Sequence, residues 1–519
     1  MKVAVYDRYW STGGGGEKFA AGVAAALATD HDVVLIAHDG VDTGWLGERL
    51  DIDLTGVGVD VQAEDAGAVS HASAAYDLFV NASYRSGDAS RARHGLYVVH
   101  FPGPVPVRIE RAQAALAERA SGLLDGGATV TYGDGFYLPE RAPLHTIQWT
   151  AGDATLTVTA GRDGGATVPV VVLLGRFVPR QVAPVEVEAE VDGDVVGRAT
   201  VTAPRSRADR RRSVALAFEV EVDTGASRTV RLRSPSWVPS EHGIGTDTRR
   251  LGVPVIGVHA GGGWRRAVAR AAPTLVAGRN QLDFLDTYDA ILANSAYTQG
   301  WVKRLWGRDS EVFHPPVTLV PRSTKEPVIL SVGRFLLPGT GHNKKQLEMV
   351  EAFRRLYERG AHGWQFHLVG GCPPEHAAYL GQIRAAAEGL PVVVHPDASG
   401  AELRALYGRA SIFWHAAGLD EDMARHPERY EHFGITTVEA MSAGAVPVVI
   451  DAAGQVEIVE QGVSGYRFGS LEGLVAHTER LIADPRWRAT LSTAAERRAE
   501  VFGWDAFVTR VGHEVARLG

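Results

Sequence analysis

Four turns in this chain carry residue types suited to holding an anion, and each follows a run that reads as a buried strand. The first is Ser11-Thr12-Gly13-Gly14-Gly15-Gly16-Glu17, ahead of an Ala-rich helical stretch. Glycines allow a backbone to approach a ligand closely, and a helix N-terminus offers unpaired N–H groups and a positive dipole. The loop is neither GxGxxG nor a Walker loop, because no Gly-Lys-Ser/Thr follows it, and a plain flexible turn is the competing reading. The second is His100-Phe101-Pro102-Gly103-Pro104, a histidine at a strand tip that is either a site residue or a satisfied edge histidine. The third is Gly333-Arg334 followed at a distance by Lys344-Lys345, cations that suit a diphosphate unless they only mark a solvated helix start. The fourth runs Glu431-His432-Phe433-Gly434-Ile435-Thr436-Thr437-Val438-Glu439, and its glutamates stand eight residues apart. That spacing lets Glu431 lie on a loop and Glu439 on the next helix, with the N–H groups of residues 434–437 aimed at an anion.

These turns need a scaffold that brings strand ends together. VAVYD (3–7), VVLIAH (33–38), YDLFVN (76–81) and LYVVHF (96–101) are short apolar runs separated by helical stretches, the signature of a parallel sheet covered on both faces. From about residue 146 to 258 the helical period disappears. Seven Val/Thr-rich, often alternating runs replace it, which predicts an antiparallel β-sandwich. The α/β pattern resumes with DAILANS (289–295), passes the rigid HPPV (314–317) and continues through VILSVG, FHLVGG, VVVHPD, SIFWHA and VPVVID. The expected architecture is therefore α/β: two doubly wound, Rossmann-like domains, with an all-β, Ig-like sandwich inserted into the first. The expected boundaries are 1–140 and 263–317 for the first domain, 141–262 for the insert and 318–500 for the second domain. A terminal helix over 501–519 is expected to pack back toward the first domain. In open parallel sheets, ligands bind at the C-terminal strand ends, where all four turns lie.

Composition narrows the function. The 519 residues carry a net charge of −8, which argues against a broad basic face for nucleic acid. Arginine dominates the 53 basic residues and only six are lysine, so the adjacent pair Lys344-Lys345 stands out. The single cysteine, Cys372, fits a reducing compartment. No secretory signal and no 18-residue apolar span is read, so a cytoplasmic location is expected, with contact at the inner face of the membrane left open. Arg91-Ala92-Arg93-His94 with Arg108 and Arg111 reads as a solvated helix face or a lipid-headgroup contact. Asp209-Arg210-Arg211-Arg212 reads as a solvated hairpin tip.

Taken in order, GGGGEKFA, VVHFP, DAILANSAYT, HPPV, SVGRF…HNKKQ and EHFGITTVEAMSAGAVPVVI resemble the family-4 retaining glycosyltransferases of the GT-B fold. The resemblance spans nearly the whole chain except about 140–260, and EHFGITTVEAM is most similar to lipid-linked-oligosaccharide mannosyltransferases and their bacterial relatives. It implies transfer of a hexose, mannose from GDP-mannose being the best match, from a nucleotide-diphospho-sugar to a glycan or lipid-linked acceptor.

It also implies roles. Arg334 and Lys344 would hold the donor diphosphate, and Lys344 is preferred over Lys345 because Phe353 follows it at the family spacing. Glu439 would bind the ribose and Glu431 the sugar hydroxyls. The backbone of Phe433, Gly434, Ile435, Thr436 and Thr437 would fix sugar and phosphate. His100 would lie near the anomeric carbon, and Gly14 and Gly15 would approach the diphosphate or acceptor. The insertion LLPGTGHN between Arg334 and Lys344 departs from the family pattern. No His/Cys spacing suits a metal, so no metal or other cofactor is expected. The insert is expected to space the domains or to bind carbohydrate or a protein partner. The competing function is a catalytically inactive glycan-binding or scaffold protein on the same fold.

Overall fold

The computed structural model describes residues 1–63, 67–103, 128–137, 140–141, 146–160, 167–206, 209, 212–243, 249–260, 282–338 and 343–518. Pro104, Arg108, Arg111, Arg210, Arg211 and residues 339–342 of the LLPGTGHN insertion lie outside the described residues.

Seven strands form the first sheet, ordered in space as Glu311–Val312, Ala290–Ala293, His94–Val99, Leu78–Asn81, Lys2–Tyr6, Asp32–Ala37 and Gly58–Val61. Every pairing in it is parallel. Its central strands are continuously apolar because helices cover both faces. The helix Gly15–Ala28 follows the first strand and buries Phe19, Ala20, Val23, Ala24 and Leu27 against the sheet. Phe19 is fully buried, which contributes about 2–3 kcal/mol.

A second parallel sheet has six strands, ordered Val392–Pro396, Gln365–Gly370, Glu326–Val332, Ala410–His415, Val446–Ile450 and Tyr466–Phe468. Both parallel sheets point their C-terminal strand ends at the chain segments that carry the four turns. The terminal helix Trp504–Ala516 leaves the second sheet's side at a bridge between Val317 and Gly503 and packs on the first. Its Phe507 ring lies 5.8 Å from that of Phe19 and 5.3 Å from that of Phe313. Gly22 eases this approach, since a Cβ there would stand 3.2 Å from Phe507 Cε1 and 2.6 Å from Pro316 Cγ.

His94–Val99 and Ala290–Ala293 are neighbours in the first sheet, yet between them the chain builds two five-stranded sheets. All pairings in those sheets are antiparallel. The two share one apolar core, with Val170, Val172 and Phe218 from one sheet meeting Leu156, Val187 and Val230 from the other. Antiparallel pairing begins earlier than residue 141. Thr129–Tyr132 already pairs with Asp153–Thr159, a short strand whose sequence carries no long alternation. Residues 91–93 also differ from the sequence reading: they form no helix but lead into the strand His94–Val99, and Arg91 pairs with Asp134 at 3.2 Å. Among the described residues no helix is long and apolar enough to cross a membrane.

Candidate functional site

The glycine loop and the Glu431–Glu439 segment face each other. A Cβ placed on Gly15 would lie 3.4 Å from Ile435 Cδ1, so the N-terminus of Gly15–Ala28 and that of Ile435–Ser442 meet across the cleft between the parallel sheets. Glu17 shapes the first terminus, accepting from the Gly14 N–H at 2.6 Å. Gly434 shapes the second with φ 119°, a backbone state that only glycine adopts without strain. A Cβ on Gly434 would also stand 2.6 Å from Gln455 Nε2. Near this terminus Thr437 Oγ1 and the Gln455 amide are buried with no hydrogen-bond partner among the described residues. Phe433 is buried, stacking on His314 with ring centroids 5.2 Å apart. Thr436 is half-buried on the first helical turn.

Lys344 crosses this cleft edge to Glu431. Its Nζ donates to Glu431 Oε2, which also lies 2.9 Å from His415 Nε2. Lys345 turns away, taking φ 60° and pairing with Glu421 at 2.9 Å, where Arg429 also binds. The neighbouring turn is tight: a Cβ on Gly333 would sit 2.6 Å from Lys344 Cγ. Arg334 is exposed on that turn, and its guanidinium has no ion-pair partner among the described residues. Its backbone carbonyl accepts from Gln346 Nε2 at 3.0 Å. The strand end thus presents one exposed guanidinium and one ammonium held by a carboxylate, a charge arrangement suited to an anion entering between them.

Glu439 is met from both sides. Tyr407 OH donates to its Oε2 at 2.9 Å, and Lys18 Nζ lies 3.5 Å from its Oε1. Lys18 also donates to Thr318 Oγ1 at 2.9 Å. Burial pushes the Glu439 carboxyl above its ordinary range, against the opposing pull of Lys18. His100 is placed by its ring: Nε2 lies 2.7 Å from the Ala82 carbonyl, which can only accept, so Nε2 carries the proton. Burial holds the ring below its ordinary pKa, so it is neutral near pH 7 and Nδ1 is an acceptor. A Cβ on Gly16 would lie 3.5 Å from this ring.

The candidates therefore converge in two sets. Gly14, Gly15, His100 and Lys18 come from the first sheet's side, and Arg334, Lys344, Glu431, Gly434–Thr437 and Glu439 from the second. Lys18, Tyr407 and His415 are absent from the sequence-based candidates. His415 ends the buried strand Ala410–His415, the same signal that singles out His100, whereas Tyr407 leaves no local signal. Further contacts hold the two sides together. Glu457 accepts from the N–H groups of Ala296 and Tyr297, both at 2.8 Å, capping a helix of the other side. His432 stacks on Phe101 with centroids 4.2 Å apart. Among the described residues no group of three or more His, Cys, Asp or Glu side chains is arranged to hold a metal ion.

The buried histidines make stability pH-dependent. His415, like His100, is held below its ordinary pKa chiefly by burial. The unfolded chain takes up protons below about pH 6.5 while the folded chain resists them, so stability falls as pH falls through that range. Melting temperatures from pH 7.5 to 5 should decline, and more gently in His415→Gln; equal slopes would remove His415 from this account.

Residues 320–498 match the family model described as glycosyl transferases group 1. A stretch of 225 residues is 25% identical to a sulfoquinovosyl transferase of Arabidopsis thaliana, covering 41% of this chain and 39% of that protein. Another of 246 residues is 27% identical to the GDP-Man:Man(3)GlcNAc(2)-PP-Dol alpha-1,2-mannosyltransferase of Mus musculus, covering 41% of this chain and 47% of that protein. The chain thus spans less than half the length of these curated relatives. Among solved structures, Anabaena HepE in complex with UDP and glucose aligns over 100% of both chains, with a TM-score of 0.52 and 13% identity. A sucrose-phosphate synthase from Thermosynechococcus elongatus aligns over 100% of this chain and 99% of its own, with a TM-score of 0.52 and 14% identity. At such identities the likeness is one of fold. The architecture is the GT-B-like α/β fold of glycosyltransferases, with two parallel sheets flanking a cleft.

Proposed function

We propose that the chain is a retaining glycosyltransferase that moves a hexose from a nucleotide-diphospho-sugar to a hydroxyl of a glycan or lipid-linked acceptor. The observation that carries this reading is the meeting of two helix N-termini at the cleft, beside the Lys344–Glu431 pair and the exposed Arg334. The match of residues 320–498 to the group 1 family model supports it, as does the fold shared with a UDP-binding structure. GDP-mannose is the proposed donor, on the wording of the Glu431–Glu439 segment and the similarity to a GDP-Man-dependent relative.

Breaking the sugar–phosphate bond leaves negative charge on the diphosphate and positive charge on the sugar ring. Arg334, Lys344 and the N–H groups opening Ile435–Ser442 would stabilise the departing diphosphate, and such preorganised electrostatics is normally the largest catalytic contribution. Glu431 would swing from Lys344 to the sugar hydroxyls, and Glu439 would take the ribose hydroxyls in place of its contact with Lys18. Neutral His100 would offer Nδ1 to a sugar hydroxyl near the anomeric carbon. The acceptor hydroxyl would attack from the face the diphosphate leaves and give its proton to the departing diphosphate oxygen, shielded by closure of the cleft. With these cations in place the reaction is proposed to need no metal. We assign the two antiparallel sheets to an insert, a β-sandwich interrupting the first α/β domain. The chain is proposed to work in the cytoplasm, at the inner face of the membrane when its acceptor is lipid-linked.

Turnover of GDP-mannose, UDP-glucose and ADP-glucose in excess EDTA, with product configuration read by NMR, tests this. Product of retained configuration is expected in EDTA. Activity lost in EDTA and restored by manganese would overturn the metal-free step, and an inverted product would overturn the front-face step.

A further inference from the structure

Lys18, one of the chain's six lysines, lies near the start of Gly15–Ala28 on the first sheet's side of the cleft. Both contacts of its ammonium are with the other side. One is Glu439 Oε1 at 3.5 Å, on the helix Ile435–Ser442. The other is Thr318 Oγ1 at 2.9 Å, the residue after the HPPV segment. The two charged side chains are 11% and 15% exposed, so neither is left to bulk water. A pair of this kind adds little stability, because taking two charges out of water offsets most of their attraction. Its geometry serves the carboxylate instead.

Glu439 is held from two directions. Tyr407 OH, from Gly400–Arg409, donates to Oε2 at 2.9 Å, while Lys18 faces Oε1. A carboxylate offers about four lone-pair positions, so these two contacts leave room for hydroxyl donors. Lys18 has its second anchor on Thr318, which lets it yield Oε1 to a ribose hydroxyl and still keep its charge close by. The titratable groups acting on Glu439 are Lys18, Tyr407 and Asp51, the last from the end of Thr43–Leu50. Burial pushes the carboxyl up, Lys18 and Tyr407 pull it down, and Asp51 adds to the rise. Of the three groups, Lys18 is the cation.

We propose that Lys18 is a positioning residue for the donor: it reaches across the cleft to keep Glu439 an ionised, aimed acceptor for the ribose hydroxyls of an incoming nucleotide. This rests on the glycosyl-transfer reading in one respect, that Glu439 is the ribose acceptor. The first side of the cleft thereby prepares the nucleotide site of the second. An ionised acceptor makes hydrogen bonds roughly twice as strong as a neutral one. Without Lys18, a proton and the ribose compete for the same carboxylate, so affinity falls as pH falls.

Calorimetric titration of GDP and UDP into the full-length wild type, Lys18→Met and Lys18→Arg, from pH 9 to pH 6, tests this. Over that range the Lys18→Met affinity should weaken about tenfold more than that of the wild type, since a proton must leave Glu439 as the nucleotide binds. Lys18→Arg should follow the wild type, because a guanidinium supplies the same charge. Thermal unfolding at each pH checks folding, and Lys18→Gln gives a second uncharged variant that should behave as Lys18→Met does. Equal slopes in wild type and the uncharged variants would overturn the proposal and leave nucleotide binding standing. The same extra slope in Lys18→Arg would also overturn it, as would uncharged variants that bind nothing at pH 9, where the carboxyl ionises unaided. A wild type that binds neither nucleotide at any pH would remove the donor reading, and this role with it.

Discussion

Lys344→Ala should lower sugar transfer by at least about a hundredfold, because it removes a preorganised cation from the departing diphosphate. The same substitution leaves Glu431 beside the buried ring of His415 without its ammonium partner. A carboxylate in that position repels an incoming diphosphate, so the loss should appear in nucleotide affinity as well as in turnover. Single-turnover transfer by the wild type and the variant measures it, with thermal unfolding as a control for folding. Lys345→Ala is the comparison. Its Nζ is spent on Glu421 and Glu348, and transfer should stay within about threefold of wild type, since an ion pair away from the reacting atoms is worth little. Equal losses in the two variants would mean that the diphosphate is held elsewhere.

Gly370→Ala should damage the same turn from behind. A Cβ on Gly370 would stand 2.1 Å from the Gly333 carbonyl oxygen and 3.1 Å from the Arg334 nitrogen, both backbone atoms that no rotamer change can move aside. The turn is also tied to this strand, through the Gly333 N–H on Val369 O at 2.8 Å and the Phe335 N–H on Gly371 O at 2.9 Å. Overpacking of this kind costs about 1–3 kcal/mol, and here the displaced atoms carry Arg334. Denaturant unfolding should show that loss, and nucleotide affinity should fall about tenfold with it, as expected for a misplaced charged hydrogen bond. Gly381→Ala is the control. It lies in the helix Ala377–Ala386 with open space around it, and should be neutral or stabilising by up to about 1 kcal/mol. A Gly370→Ala protein with wild-type stability and affinity would contradict the close packing of this turn.

What the sequence makes legible follows from the range of the physics involved. Buried parallel strands are continuous apolar runs, so both α/β halves can be read from local pattern. The turns after them can be located for the same reason, and lysine scarcity draws attention to Lys344. Gly434 is legible because a positive φ at a helix start demands glycine. Partners that lie far apart in the chain leave no such trace. The Lys18–Glu439 contact joins residues on opposite sides of the cleft, and Glu457 caps a helix that begins at Ala296. Each needs the two sheets to be docked before it exists. The start of the antiparallel region at Thr129 is also hidden, since a four-residue strand is too short to show its period.

The cleft between the parallel sheets is proposed to bind a nucleoside diphosphate through Lys344. Calorimetric titration of wild type and Lys344→Ala with GDP, UDP and ADP tests it most directly. Saturable binding of at least one nucleotide by the wild type is expected, with about tenfold or greater weakening in the variant. Binding of none of the three, or equal affinity in both proteins, would contradict it.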